Sequence, residues 1–257
     1  MISITNPRVA GFSPRWNSFR GFTLLFDNPG DSLADWQGYQ LVAGDIADNA
    51  ELEFYRGLRS GLEEIGLKML MESYLFCPLS PSTYHVTAWD CLNDGNVTQA
   101  HPQHIPDLMQ TIAELPASLQ KPNTATRLPL ASELIAKENW NIRFRFDRLY
   151  KWSNFAMVVL LKPDGEESEA NYQSFIAARA RLNAEFRQTF GIGARELYLP
   201  HVTLGYFANA QAAQMATPCM EEWNATMATH ARDLNVKLDS VSLYGFVDLE
   251  HFFKNPT

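Results

Sequence analysis

The sequence predicts an α+β protein made of two corresponding halves. Three observations carry that expectation. The order strand, helix, strand, helix, strand occurs twice, over about 21–150 and again over about 151–248. The same tripeptide stands in corresponding strands, as His85-Val86-Thr87 and as His201-Val202-Thr203. The segments that close the two halves, F-D-R-L-Y-K-W and L-D-S-V-S-L-Y-G-F, match loosely. A repeat of this length is an internal duplication rather than a solenoid. Residues 1–257 then form a single bilobal domain, long enough to bury a core.

Each element has its own signal. Residues 1–20, rich in Pro, Gly, Arg and Ser, read as an irregular extension. Gly21–Asp27 reads as a strand that ends in the turn N-P-G-D. Over Asn49–Ile65 apolar residues recur at spacings of three and four, and Gly66 follows, which reads as a helix and its stop. Tyr74–Asp90 carries two extended pieces around C-P-L-S-P-S. Ile105 to Leu119 reads as a Pro-initiated helix, and Lys121–Pro129 as loop. Asn141–Tyr150 alternates apolar with charged residues, the pattern of a half-buried strand.

In the second half, Phe155–Leu161 is a buried strand by its β-branched run. Glu169–Phe190 is a long helix closed by Gly191. Tyr198–Phe207 is the strand with the second His-Val-Thr. Gln211–Leu234 is helical with a break near Pro218, and Val236–Val247 is the last strand.

Composition narrows the function. A hydrophobic share of 46% and a charged share of 19% are those of a soluble globular protein. The net charge of −8 argues against a partner of long nucleic acid, which calls for a basic stripe. No apolar run approaches a membrane span, and the N-terminus has no export pattern, so neither a membrane nor export is expected. Cys77, Cys91 and Cys219 are an odd set without metal-ligand spacing. They read as reduced thiols in a cytoplasmic protein. The oligomeric state stays open. There is no phosphate-cradling or nucleotide-binding glycine motif and no nucleophile elbow.

The paired tripeptides carry the chemistry. In a strand His85 and Thr87 point one way and Val86 the other, and the same holds for His201, Thr203 and Val202. Each unit offers an imidazole that titrates near neutrality and a hydroxyl that can donate to an anionic oxygen. Two such units about a rough two-fold axis set an acid and a base on opposite sides of one tetrahedral centre. That suits in-line cleavage of a P–O bond with no metal and no cofactor.

On these residues and the repeated element order, the chain from about Gly21 to Val247 resembles the 2H phosphoesterase superfamily, in an uncharacterised bacterial-type branch. The resemblance implies a bilobal α+β fold with antiparallel sheets flanking a cleft. It implies metal-independent cleavage of a 2′,3′-cyclic, 1″,2″-cyclic or 2′–5′ phosphodiester of a nucleotide or RNA end. His85 and His201 would be the catalytic pair, Thr87 and Thr203 the phosphate-contacting pair. The extension before Gly21 and residues 123–139 have no match in it. The alternative is a nucleotide-sensing module that keeps the cleft without turnover. A structural adaptor would need an apolar surface stripe that periodicity does not show.

Tyr84, Trp89, Trp152, Tyr198 and Tyr206 flank the motifs or closing strands, where aromatics are more often core, and one or two of them could stack a base. Tyr206 stands at an odd offset from His201 and faces the site only if a bulge near Gly205 re-aims it. Arg143 and Arg145 share one strand face and could steer an anion. His101 and His104 have no companion ligands.

Overall fold

The computed structural model describes residues 3–11, 15–44, 46–152 and 155–254. In chain order its strands are β1 (Gly21–Phe26), β2 (Asp31–Trp36), β3 (Tyr39–Gly44), β4 (Phe76–Pro78), β5 (Thr87–Asn93), β6 (Ile142–Lys151), β7 (Ala156–Pro163), β8 (His201–Phe207), β9 (Asn235–Leu238), β10 (Val241–Phe246) and β11 (Phe252–Lys254). The helices are α1 (Glu53–Ile65), α2 (Leu67–Ser73), α3 (Ile105–Ala113), α4 (Arg127–Leu130), α5 (Glu133–Ala136), α6 (Glu166–Phe190), α7 (Ala210–Met215) and α8 (Met220–Ala231).

Two antiparallel sheets divide the strands, in the orders β2-β3-β11-β10-β1-β5 and β4-β8-β7-β6-β9. The α+β, two-sheet architecture expected from the sequence is present. Helix α6 lies against both sheets. Its Phe175 meets Phe26 of β1 at 4.9 Å between ring centroids, its Phe186 meets Trp89 of β5 at 5.0 Å, and its Tyr172 meets Phe144 of β6 at 5.9 Å. Gly191, in the left-handed conformation, caps it as expected.

The chain halves do not map one to one onto the sheets. Strand β6, which closes the first half, pairs with β7 in the second sheet. Strand β10, from the second half, pairs with β1 in the first. The single strand expected over Val236–Val247 is in fact two, β9 and β10, one in each sheet. The physical sign is a break in alternation. Val236 and Leu238 are buried two apart, Val241 and Leu243 are buried two apart, but Leu238 and Val241 stand three positions apart. Asp239 and Ser240 make the crossing.

Other differences have local causes. The helix expected to Leu119 ends at Ala113, and Pro116 is followed by a 3-10 turn over Ala117–Gln120. Short helices α4 and α5 occupy part of the 123–139 segment. The hairpin of β2 and β3, absent from the sequence reading, turns through Gln37 and Gly38, both at positive φ, as a two-residue hairpin of this twist demands. The break near Pro218 separates α7 from α8. The described part of the extension is docked on the end of β8. Thr5 and Asn6 donate from their backbone nitrogens to Ala208 O, and Trp16 packs on Tyr206 at 6.0 Å.

Candidate active site

The two sheets touch through the tripeptides. Val86 and Val202 form an antiparallel bridge outside the longer ladders. Continuing that register sets His85 across from Thr203 and Thr87 across from His201. Both valines are fully buried, so strand alternation turns the two imidazoles and two hydroxyls to the opposite, half-buried face. The duplicated motif thus becomes a two-by-two array.

A residue is inserted after each threonine. Leu25 pairs with Thr87 and Leu24 with Trp89, which leaves Ala88 out of the ladder. Val158 pairs with Thr203 and Met157 with Gly205, which leaves Leu204 out. A bulge inverts the alternation that follows. Tyr206 therefore faces as Thr203 does, and Asp90 faces as Thr87 does. Gly205 is required by a close approach, since a Cβ there would lie 2.3 Å from Cys77 O. Along one face the order is Tyr206, then His85 beside Thr203, then Thr87 beside His201, then Asp90.

Both rings are anchored alike. His85 Nδ1 donates to Thr83 O and His201 Nδ1 to Leu199 O, each at 2.8 Å. A carbonyl only accepts, so the proton of the neutral ring sits on Nδ1 and Nε2 keeps its lone pair. Phe252 lies 4.9 Å from the His85 ring and Trp152 4.8 Å from the His201 ring. Burial pushes the His85 imidazole down to about 4, against the bond to Thr83 O, and the charge of His201 adds to the fall. Burial also lowers His201, opposed by Leu199 O and by the Asp90 carboxylate.

Two carbonyls at the first bulge are held from behind. Tyr198 Oη donates to Thr87 O at 2.7 Å, and Arg179 Nε donates to Ala88 O at 3.2 Å. Arg179 is only 5% exposed, and its guanidinium lies over the Tyr198 ring at 4.8 Å. A cavity of about 20 Å³, room for about one water, opens beside His85 between Asn28, Asp31, Ser82 and Phe252.

The remaining expected residues fall in different places. Tyr84 is buried, stacked edge-on with Tyr55 at 6.0 Å, and it faces the core while His85 faces the cleft. That placement corrects the expectation that it stacks a base. Tyr198 supports the site from beneath. Trp152 and Tyr206 are at the site. Arg143 and Arg145 lie on the His201 face of the second sheet because Asp147 is bulged out between Phe146 and Arg148. Arg148, Lys162 and Lys237 share that face, with Asp147, Asp164 and Asp239 as counter-ions. His101 and His104 sit beside the end of α6, His101 N donating to Phe190 O.

Sequence reasoning missed Asp90, Arg179, Arg148 and Phe252. For Asp90 a signal existed: it stands five residues after His85, as Tyr206 stands five after His201. Among the described residues no three or more His, Cys, Asp or Glu side chains gather as a metal site.

Fold and site together define an α+β protein whose two antiparallel sheets meet at a paired His-Val-Thr array. No model of a known protein family matches the chain, and no curated protein matches it. Among solved structures, a conserved protein of unknown function from Agrobacterium tumefaciens is similar at a TM-score of 0.52 and 11% identity, over 97% of this chain and 90% of that one. Usb1 of Kluyveromyces marxianus is similar at 0.39 and 12% identity, over 93% of this chain and 98% of that one. Its structure with uridine monophosphate gives 0.35 and 12%, over 94% and 98%. The first likeness speaks to the fold alone, and the two Usb1 superpositions are too low to carry an argument.

Proposed function

We propose that residues 1–257 act as one 2H-type phosphodiesterase, a metal-independent hydrolase of a cyclic (2′,3′- or 1″,2″-) or 2′–5′ phosphodiester on a nucleotide or RNA end, in the cytoplasm. The observation that carries the reading is the Val86–Val202 bridge, which turns His85, Thr87, His201 and Thr203 onto one face. With Nδ1 of each ring tied to a carbonyl, each Nε2 can take a proton when neutral or give one when charged. The nucleophile loses its proton to one imidazole as it bonds phosphorus. The P–O bond to the leaving group breaks, and the leaving oxygen takes a proton from the other imidazole. The two threonine hydroxyls donate to the non-bridging oxygens as charge develops. Arg143, Arg145 and Arg148 give the second sheet's wall a locally positive face against a net charge of −8, which suits an anionic substrate.

The test is turnover of a 2′,3′-cyclic nucleotide and a 2′–5′-linked dinucleotide in the presence of a chelator. His85→Ala and His201→Ala should each cost ~10²–10⁴-fold, and Thr87→Val and Thr203→Val ~10²–10³-fold. Tight nucleotide binding without turnover would replace this reading by a sensor. Loss of activity on chelation, restored by one metal, would refute the mechanism.

A further inference from the structure

The two tripeptides are alike, but the ends of the array are not. One end carries the phenol of Tyr206 and the other the carboxylate of Asp90, at equivalent bulged positions. Same-face neighbours on a strand are about 6.6 Å apart, and residues opposed across an antiparallel pair about 5 Å. Asp90 lies one same-face step beyond the Thr87–His201 row. That sets it about 8 Å from His201 on the diagonal and about 13 Å from His85 along its own strand, between Cα atoms. By the same count Tyr206 neighbours His85. The walls differ too. Phe252 and the apolar cluster of Leu25, Tyr244 and Phe246 lie on the His85 side, while Trp152 lies on the His201 side.

We infer that the site is polarised along its length, with Asp90 favouring the charged form of His201, which serves as the general acid, and leaving His85 as the general base. This assignment rests, for its chemistry, on the phosphodiesterase reading. Water gives a proton to His85 Nε2 as its oxygen bonds phosphorus. The bond from phosphorus to the ribose oxygen breaks, its electron pair passes to that oxygen, and His201 Nε2–H supplies the proton. His85 ends charged and His201 neutral, and exchange with solvent resets both. Asp90 acts through His201 and is a positioning residue.

The other charged groups about the pair have been weighed. His201 also faces Arg195, stacked on Trp152 at 5.3 Å, and Arg148, in its own row across Leu160. Both oppose its protonation, and the influence of Asp90 exceeds that of Arg195. Arg179 lies behind β5. His85 faces His201, which disfavours its charge by more than the distant Asp90 favours it, and borders the cavity shared with Asp31, whose carboxyl burial pushes up to about 6. Arg8, over Tyr206 at 5.5 Å, adds a cation at the His85 end.

The experiment uses two substrates and one titration. A 2′,3′-cyclic nucleotide has a poor alkoxide leaving group, whereas bis(4-nitrophenyl) phosphate has one that departs without a proton. His201→Ala should lose ~10²–10⁴-fold on the first and less than about tenfold on the second. His85→Ala should lose ~10²–10⁴-fold on both. The reverse pattern overturns the assignment. Nitrogen-detected NMR of both rings reads the polarity without turnover. His201 should titrate above His85, Asp90→Asn should lower His201 more than His85, and Asp90→Glu should restore it. A higher titration for His85, or no response of His201 to Asp90→Asn, overturns the inference. A wild-type protein inactive on both substrates but with the expected titrations would refute the phosphodiesterase reading alone.

Discussion

Tyr198→Phe removes a single oxygen, and its expected effects can be worked from the geometry. The lost hydroxyl donates to Thr87 O at 2.7 Å, beside the bulge at Ala88. A net hydrogen bond contributes about 1 kcal/mol, and a buried polar group left unpaired costs about 1–3 kcal/mol. Thr87 is half-buried, so solvent partly repairs the loss and the lower part of that range applies, about 1–2 kcal/mol. For a chain of this size that lowers Tm by roughly 2–8 °C. Burial raises the Tyr198 phenol well above its usual value, so the bond survives to alkaline pH and the effect should be flat across the neutral range. The same change loosens the backbone that aims the Thr87 hydroxyl. Complete loss of an oxyanion donor costs ~10²–10³-fold, so a loosened one should lower kcat roughly tenfold with little change in KM. Arg179→Met, which frees Ala88 O, should couple to it, because both side chains hold one bulge. Melting curves and steady-state kinetics on the two single variants and the double variant check this. Additive effects, or a Tyr198→Phe protein with wild-type Tm and kcat, would refute the argument that the bulge is held from behind.

Gly205→Ala should destabilise by more than about 2 kcal/mol or shift the second bulge, since its Cβ would meet backbone atoms of Cys77 and Pro78 at 2.3 and 2.9 Å; denaturant unfolding reads it. The folded protein should lose stability on acidification. With His85 at about 4 when folded and 6.5 when free, its contribution is complete above about pH 6.5 and lost as pH falls through 4. The ceiling is about 3 kcal/mol, reduced by the ring's partial exposure, and His85→Gln should flatten the slope between those limits. Reversing Arg143, Arg145 and Arg148 to Glu should raise KM for an anionic substrate and weaken its salt dependence, measured as kcat/KM against ionic strength; an unchanged salt profile would show that this face is only solvated.

The site was legible where side-chain type and strand alternation suffice. His85, Thr87, His201 and Thr203 share a face because period-two alternation is a local property. The condition placed on Tyr206 was also legible, because an odd offset needs a bulge and Gly205 marks one. What could not be read were long-range facts. Alternation within β6 does not say which sheet receives it, and nothing in E-N-W-N-I-R announces that β6 joins β7 while β10 returns to β1. Arg179 looked like any helical arginine, and only the packing of α6 against β5 brings its Nε to Ala88 O. Tyr84 was misread because its neighbour His85 faces the cleft, and alternation itself sends Tyr84 into the core. Residue Asp90 was overlooked because the bulge that re-aims it falls at Ala88, between Thr87 and Trp89, where no glycine marks it.

The exchange of closing strands sets the order in which the molecule can be assembled. Gly21 in β1 is registered with Phe246 in β10, and β11 extends that sheet through Phe253 and Leu41. The first sheet therefore stays without its central partner until β10 has been made. The second sheet is largely complete once β9 is made. Contacts of such sequence separation form late and slowly. His85 is made 116 residues before His201, so the paired array cannot close until β8 has followed.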